Sequence, residues 1–342
     1  MKSHLVLLGL FVGLAPAPAA GEAPKRDRAA PPVTAVDTGT KTRVKLTVDG
    51  DERVFIVHRP AGYTGTKKVP VVIMFHGSTG SGLKFYNTSR WKELGNTHHF
   101  ISVYPTAMTV CVSNGTQQKT NTYWMTPIIE VCPNQNRPDD VLFVKKMLEH
   151  LRANYAVDDA RVYASGFSIG MGFIMMELLV KMPEAFAAVG GAGSVLTPDK
   201  VTVSPAIRTT AVSLMMGQED GHFDGDNALP ITLADYNKSD YIDTVEGSMT
   251  AFVGVENRFT GKRYPKFFLA DYNTAVDGGR QRLRLGVLVG LGHVWPQGRQ
   301  NDNGLVAAEL LWPFFAANPR SLTPKANIPN RPLSGAGQRK RP

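Results

Sequence analysis

The chain is poor in cysteine and has no long apolar run. Its 342 residues hold two cysteines, Cys111 and Cys132, too few for a disulfide-stapled miniature scaffold and without the neighbouring histidine pair that a zinc site needs. No segment reaches the roughly 18 uninterrupted apolar residues of a membrane-spanning helix. The first apolar stretch, Leu5 to Leu14, is shorter; Lys2 precedes it and Ala17-Pro18-Ala19 follows. That is the pattern of an export signal at residues 1–19, cut after Ala19. In an exported chain the two cysteines read as a disulfide closing a loop of about 20 residues, worth ~3 kcal/mol in the chain-entropy model; two free thiols are the alternative. No internal repeat is visible.

The body also lacks net charge. Of 38 Lys/Arg, six lie in residues 1–43 and six in 319–342, against three of the 29 acids, so the net charge of +9 belongs to the ends. A neutral body carries no basic footprint for nucleic acid. Both ends are rich in Pro, Ala and polar residues and read as disordered, a linker at 20–42 and a basic tail at 318–342, around one domain at 43–317.

Within that domain RVKLTVDG and RVFIVHR alternate like a β-hairpin turning at Asp49-Gly50. PVVIMF, FISVYP, ARVYASGF, AFAAVGGAG, TTAVSLMMG and RLRLGVLVG are continuous apolar runs, as in parallel strands covered on both faces. Helical periodicity falls between them, at VLFVKKMLEHLRANY behind Asp139-Asp140, from Ile169 to about Lys181, and from Asn303 to Ala316. Alternation of this kind predicts an α/β fold, a mostly parallel doubly wound sheet with an N-terminal antiparallel hairpin. Met171, Met175, Met176, Met215 and Met216 are expected to pack its core.

PVVIMFHGSTGSGLK runs a strand into glycines spaced, from Gly77 to Gly82, like a phosphate-cradling loop. The Lys and Ser/Thr that should follow are Leu83 and Lys84, which argues against a nucleotide site and leaves Lys84 as a solvated helix residue. Gly166-Phe167-Ser168-Ile169-Gly170, between a predicted strand and a predicted helix, is a Gly-x-Ser-x-Gly turn of the kind that lifts a serine hydroxyl to a sheet edge. Alone the pentad is weak; its setting makes it specific. A serine nucleophile needs a base and an orienting acid, in this fold in the order Ser, Asp/Glu, His. Gln218-Glu219-Asp220 follows one late strand and Leu291-Gly292-His293 another. Asp220 is the preferred acid, with Glu219 and Asp224 as alternatives, and His293 the preferred base over His222. An oxyanion needs two N–H donors, Ile169 after the serine and Ser78 or Thr79 in the HGSTGSG loop.

The segments VVIMFHG, DDVLFV, YAVDDARVYASGFSIG, FAAVGG and GLGHVWP resemble the secreted poly(3-hydroxybutyrate) depolymerase-like and feruloyl esterases of the α/β-hydrolase superfamily, over roughly residues 44–317. The resemblance implies Ser168 as nucleophile, Asp220 as acid, His293 as base and Trp295 on the acyl pocket, with Phe167, His76 and Trp124 as further pocket candidates. Two departures stand out. Ile169-Gly170-Met171 replaces Asn-Gly-Gly, and Gly217-Gln218-Glu219-Asp220 replaces Gly-Thr-x-Asp. The loop from Cys111 to Cys132 either covers the site or is a stabilised surface excursion. The expectation is a secreted, cofactor-free and metal-free serine esterase acting as a monomer on a polyester oligomer or an acylated polysaccharide, with no nucleic acid and no membrane contact after signal removal. A serine peptidase and an inactive hydrolase-fold binding protein are the alternatives.

Overall fold

Asp49 and Gly50 both have positive φ, 50° and 87°, the primed turn whose twist matches a hairpin. They join β1 (Thr40–Val48) to β2 (Asp51–Arg59), so the first strand begins inside the stretch expected as linker. The computed structural model describes residues 39–113, 115, 117–195, 210–224, 227–279, 281–299 and 302–321. The expected signal at 1–19, the linker before residue 39 and the tail beyond 321 lie outside the described residues.

The apolar runs form β3 (Val69–Phe75), β4 (Ile101–Pro105), β7 (Val157–Phe167), β8 (Ala188–Ala192), β9 (Ala211–Gly217) and β12 (Leu283–Leu288). A second hairpin, β5 (Thr109–Ser113) with β6 (Gln118–Thr122), stands apart, and β10 (Thr260–Arg263) pairs with β11 (Phe267–Tyr272). The main sheet runs β1-β2-β4-β3-β7-β8-β9-β12-β11-β10. Its centre, from β4 to β12, is parallel, and both flanks are antiparallel. This is the α/β-hydrolase architecture.

Successive residues of β3 enter opposite core clusters: Val71, Ile73 and Phe75 on one face, Val72 and Met74 on the other. That is the period-two geometry of a strand buried on both sides. The methionines named above are all buried in these clusters.

Helix Asp140–Asn154 is capped by the Asp139 carboxylate, which accepts the Leu142 N–H at 2.7 Å. Helix Ile169–Phe173 continues through a π-turn, Ile174–Leu178, into Leu179–Lys181. The last helix spans Ala307–Ala317 and not residues from Asn303, because Asn303 and Gly304 have φ of 52° and 68°, a left-handed pair that cannot open a helix. Helices Gly82–Thr88, Trp91–His98 and Asp240–Val253 also belong to the frame. Asp140 braces the excursion after β4: it pairs with the buried Arg53 at 2.5 Å and accepts the Met125 N–H at 2.8 Å. Cys111 and Cys132 form a disulfide across the same excursion. No helix among the described residues is long and apolar enough to cross a membrane.

Candidate active site

The carboxyl ends of β3, β7, β9 and β12 converge on one edge of the sheet, where doubly wound folds bind their ligands. At the end of β7 the chain turns into a helix within one residue, Ser168, at φ 52° and ψ −126°. A non-glycine residue there stores of order 1–3 kcal/mol of strain, sustained only when its surroundings fix it. They do so here. A Cβ on Gly166 would come within 2.6 Å of the Met171 nitrogen, and one on Gly170 would run into the carbonyl oxygens of Phe75 and His76. Met171 and Gly172 donate back to the Ser168 carbonyl at 2.9 and 3.0 Å.

The turn presents Ser168 Oγ 2.9 Å from His293 Nε2, and His293 Nδ1 lies 2.8 Å from Asp220 Oδ2. The loops carrying the last two are tied together: Glu219 donates its N–H to the Leu291 carbonyl at 2.8 Å, and Gly290 donates to Gln218 Oε1 at 2.9 Å. Gln218, one of the departures from the family pattern, thus clamps the end of β9 to the end of β12. Glu219 points into solvent, whereas Asp220 is buried; the Asp224 side chain lies outside the described residues. Burial alone would push the Asp220 carboxyl up, but the hydrogen bond and charge of His293, joined by two hydrogen bonds from His222, hold it below the usual carboxylate range. A carboxylate only accepts, so His293 carries its proton on Nδ1 and turns the Nε2 lone pair to the serine.

Two further residues close the arrangement, Gly193, which the sequence did not single out, and His222, which it offered only as a rival base. Gly193 has φ +71°, and a Cβ there would lie 2.9 Å from His293 Cε1, so its bareness leaves room for the imidazole ring. His222 is hydrogen-bonded to the acid, while the serine hydroxyl pairs with His293. Its Nδ1 is 3.0 Å from Asp220 Oδ1, and its ring lies 4.1 Å from that of His293. The donor atoms of Asp220, His222 and His293 lie within 4.8 Å of one another, close enough for a cation. Each Nδ1 is nonetheless already paired with a carboxylate oxygen, as in a hydrogen-bonded network.

Ile169 is the first residue of its helix, and its N–H has no carbonyl one turn back. On the opposite wall, Gly77 approaches so closely that a Cβ there would lie 3.3 Å from Ser168 Cβ. Ser78 follows it. Of the two expected loop donors, Thr79 already donates its N–H to the Thr122 carbonyl at 3.1 Å. The excursion that supplies Thr122 buttresses this loop from behind: Thr122 Oγ1 donates to the Gly80 carbonyl at 2.7 Å, and Trp124 Nε1 donates to the His76 carbonyl at 3.0 Å.

Beside the serine lies a cleft of about 210 Å³ walled by Ser78, Phe85, Phe167, Val294 and Trp295, with Lys84 on its lining. Phe167 and Trp295 sit where a pocket role was expected. Trp124 and His76 do not. Trp124 is fully buried and stacks on Phe173 at 5.2 Å, part of the core beneath the loop. His76 is equally buried, its Nδ1 on the Gly77 carbonyl at 2.7 Å and its Nε2 accepting the Ala107 N–H at 3.0 Å. Burial, opposed by the Gly77 hydrogen bond and aided by Lys84, lowers His76 to about 4. Lys84 is exposed, as expected of a solvated helix residue, yet it also borders the cleft.

Residues 48–258 match the model of the Esterase family, described as "Putative esterase". Poly(3-hydroxyalkanoate) depolymerase C of Paucimonas lemoignei is 31% identical over 137 residues, 38% of this chain and 28% of that protein. Feruloyl esterase B of Piromyces equi is 32% identical over 120 residues, 35% of this chain and 20% of that one. The matched stretches therefore span less than a third of these curated relatives. Among solved structures, the acetyl xylan esterase from Aspergillus awamori has a TM-score of 0.49 and 15% identity, covering 80% of this chain and 99% of that one.

Proposed function

The chain belongs to the Esterase family, and on that premise we propose that it is an exported carboxylic-ester hydrolase that works through an acyl-enzyme on Ser168. The observation that carries the reading is the unbroken line from Ser168 Oγ through His293 to Asp220, at 2.9 and 2.8 Å. Ser168 Oγ attacks the ester carbonyl as its proton passes to His293 Nε2. The oxygen that becomes negative accepts the N–H groups of Ile169 and Ser78, each donor worth about 2.7–4 kcal/mol to the barrier. The intermediate collapses, the C–O bond to the alcohol breaks, and the alcohol leaves with the proton from His293. Water then repeats the sequence against the acyl-serine, giving up a proton to His293 and releasing the carboxylic acid and Ser168. Asp220, held ionised, orients the imidazole and stabilises its transient charge.

The aromatic cleft beside the serine suits an ester with an apolar or aromatic part, in the range of the polyester oligomers and acylated polysaccharides expected from the sequence. The disulfide fits an oxidising compartment, in keeping with export behind the signal at 1–19. Hydrolysis of p-nitrophenyl acetate and butyrate by the wild type and by Ser168→Ala tests the mechanism. The variant should lose turnover, and unchanged turnover would overturn it. Parallel assays on methyl ferulate, acetylated xylan and a polyhydroxybutyrate suspension assign the substrate.

A further inference from the structure

The Asp220 carboxylate serves two histidines. Oδ2 faces His293, while Oδ1 accepts twice from His222, from Nδ1 at 3.0 Å and from the backbone N–H at 3.1 Å. The Asp220 side chain is completely buried, and that of His222 is 31% exposed. His222 belongs to the short turn Gly221–Asp224 that closes directly over the end of β9. Its ring overlaps that of His293 at 4.1 Å and 37°. The carboxylate therefore has no freedom to rotate: each oxygen is held by an imidazole N–H, and the two imidazoles rest on each other.

From this geometry, and resting on the hydrolase reading above, we infer that His222 is a positioning residue, which fixes the plane of Asp220 and thereby the orientation of His293. With the His222 ring gone, Oδ1 keeps the backbone N–H at 3.1 Å as its one His222 donor, and a small rotation about the Asp220 Cβ–Cγ bond would move Oδ2 off the His293 Nδ1–H. Among the described residues, the titratable side chains touching His293 are Asp220 and His222; its other neighbours, Ser168, Phe167 and Gly193, carry no charge.

The test compares His222→Leu, His222→Ala and His222→Asn with wild type on p-nitrophenyl butyrate, with circular dichroism and melting temperature to establish folding. Leu and Ala should lower kcat on the order of tenfold or more with KM unchanged. Asn, which keeps a side-chain N–H, should recover most of the loss. The low-field proton resonance of the His293–Asp220 hydrogen bond should weaken or broaden in Leu and Ala and persist in Asn. A folded Leu or Ala variant with wild-type kcat overturns the inference, as does an Asn variant no better than Leu. Should Leu fail to fold, Ala, the smaller change, decides on the same readouts. Ser168→Ala in the same series separates the two levels: if it remains active the hydrolase reading itself is wrong, whereas if it is dead and His222→Leu is normal, only the positioning role falls.

Discussion

The backbone N–H of Thr79 donates to the carbonyl of Thr122 at 3.1 Å. An amide spent on the strand behind it is not available to an oxyanion in front of it, so the mechanism proposed above takes its loop donor from Ser78. Replacing Ser78 by proline removes that N–H. The expected result is a loss in kcat of about 10²- to 10³-fold with KM changed little, read from Michaelis kinetics on p-nitrophenyl butyrate. A rise in KM at constant kcat would assign the residue to ground-state binding.

The same excursion should matter to activity through its staple. Cys132→Ser opens a bridge spanning 21 residues, at a cost of ~3 kcal/mol on the chain-entropy model. Because Thr122 and Trp124 hold the His76–Gly80 segment, the variant should lose kcat along with stability, as measured by urea unfolding and initial rates at a temperature where it remains folded. Full activity in a destabilised protein would mean that the loop is fixed from elsewhere.

Asp140 joins three elements at one buried carboxylate, the Arg53 guanidinium of β2, the helix it begins and the Met125 N–H of the excursion. Asp140→Asn leaves the Arg53 charge buried and uncompensated, a change that typically costs about 3–5 kcal/mol. Thermal and urea melts should show that drop. Loss of less than about 1 kcal/mol would mean that water reaches Arg53 in the native state.

His76 links pH to stability. It is held neutral in the fold, with a pKa of about 4 against an ordinary 6.5. Between these values the unfolded chain holds a proton that the native state does not, so stability rises with pH across the window and is lost as pH falls from 6.5 towards 4. The full shift corresponds to about 3 kcal/mol. Urea titrations at pH 7 and pH 4.5 should show the decline, and His76→Gln should flatten the part that this residue contributes. An equally steep decline in the variant would transfer the effect to other groups.

Much of this site can be read from the chain, for reasons of spacing. The parallel strands are continuous apolar runs because both faces are covered, and Ser168, Asp220 and His293 each follow one of them, so order alone brings them to one edge. What could not be read depends on contacts between distant segments. Trp124 resembles a pocket residue until its indole is found donating to the carbonyl of His76, 48 positions away. His222 competes with His293 in sequence and supports it in space. FFLADY alternates half-buried and buried residues and TGKR, the edge strand beside it, is mostly exposed, so neither reads as a continuous apolar run. Helix Asp240–Val253 did carry its signals, Ser239 accepting the Ile242 N–H at its start and Gly254 at φ 80° at its end.

The claim at the centre is that Ser168 becomes covalently acylated. The direct measurement is peptide mass spectrometry after treatment with a p-nitrophenyl phosphonate, which leaves a stable adduct on an activated serine. One equivalent on the peptide containing Ser168, absent from Ser168→Ala and suppressed in His293→Ala, is the predicted result. Hydrolytic activity that survives the reagent with Ser168 unmodified, or an adduct on another residue, would contradict it.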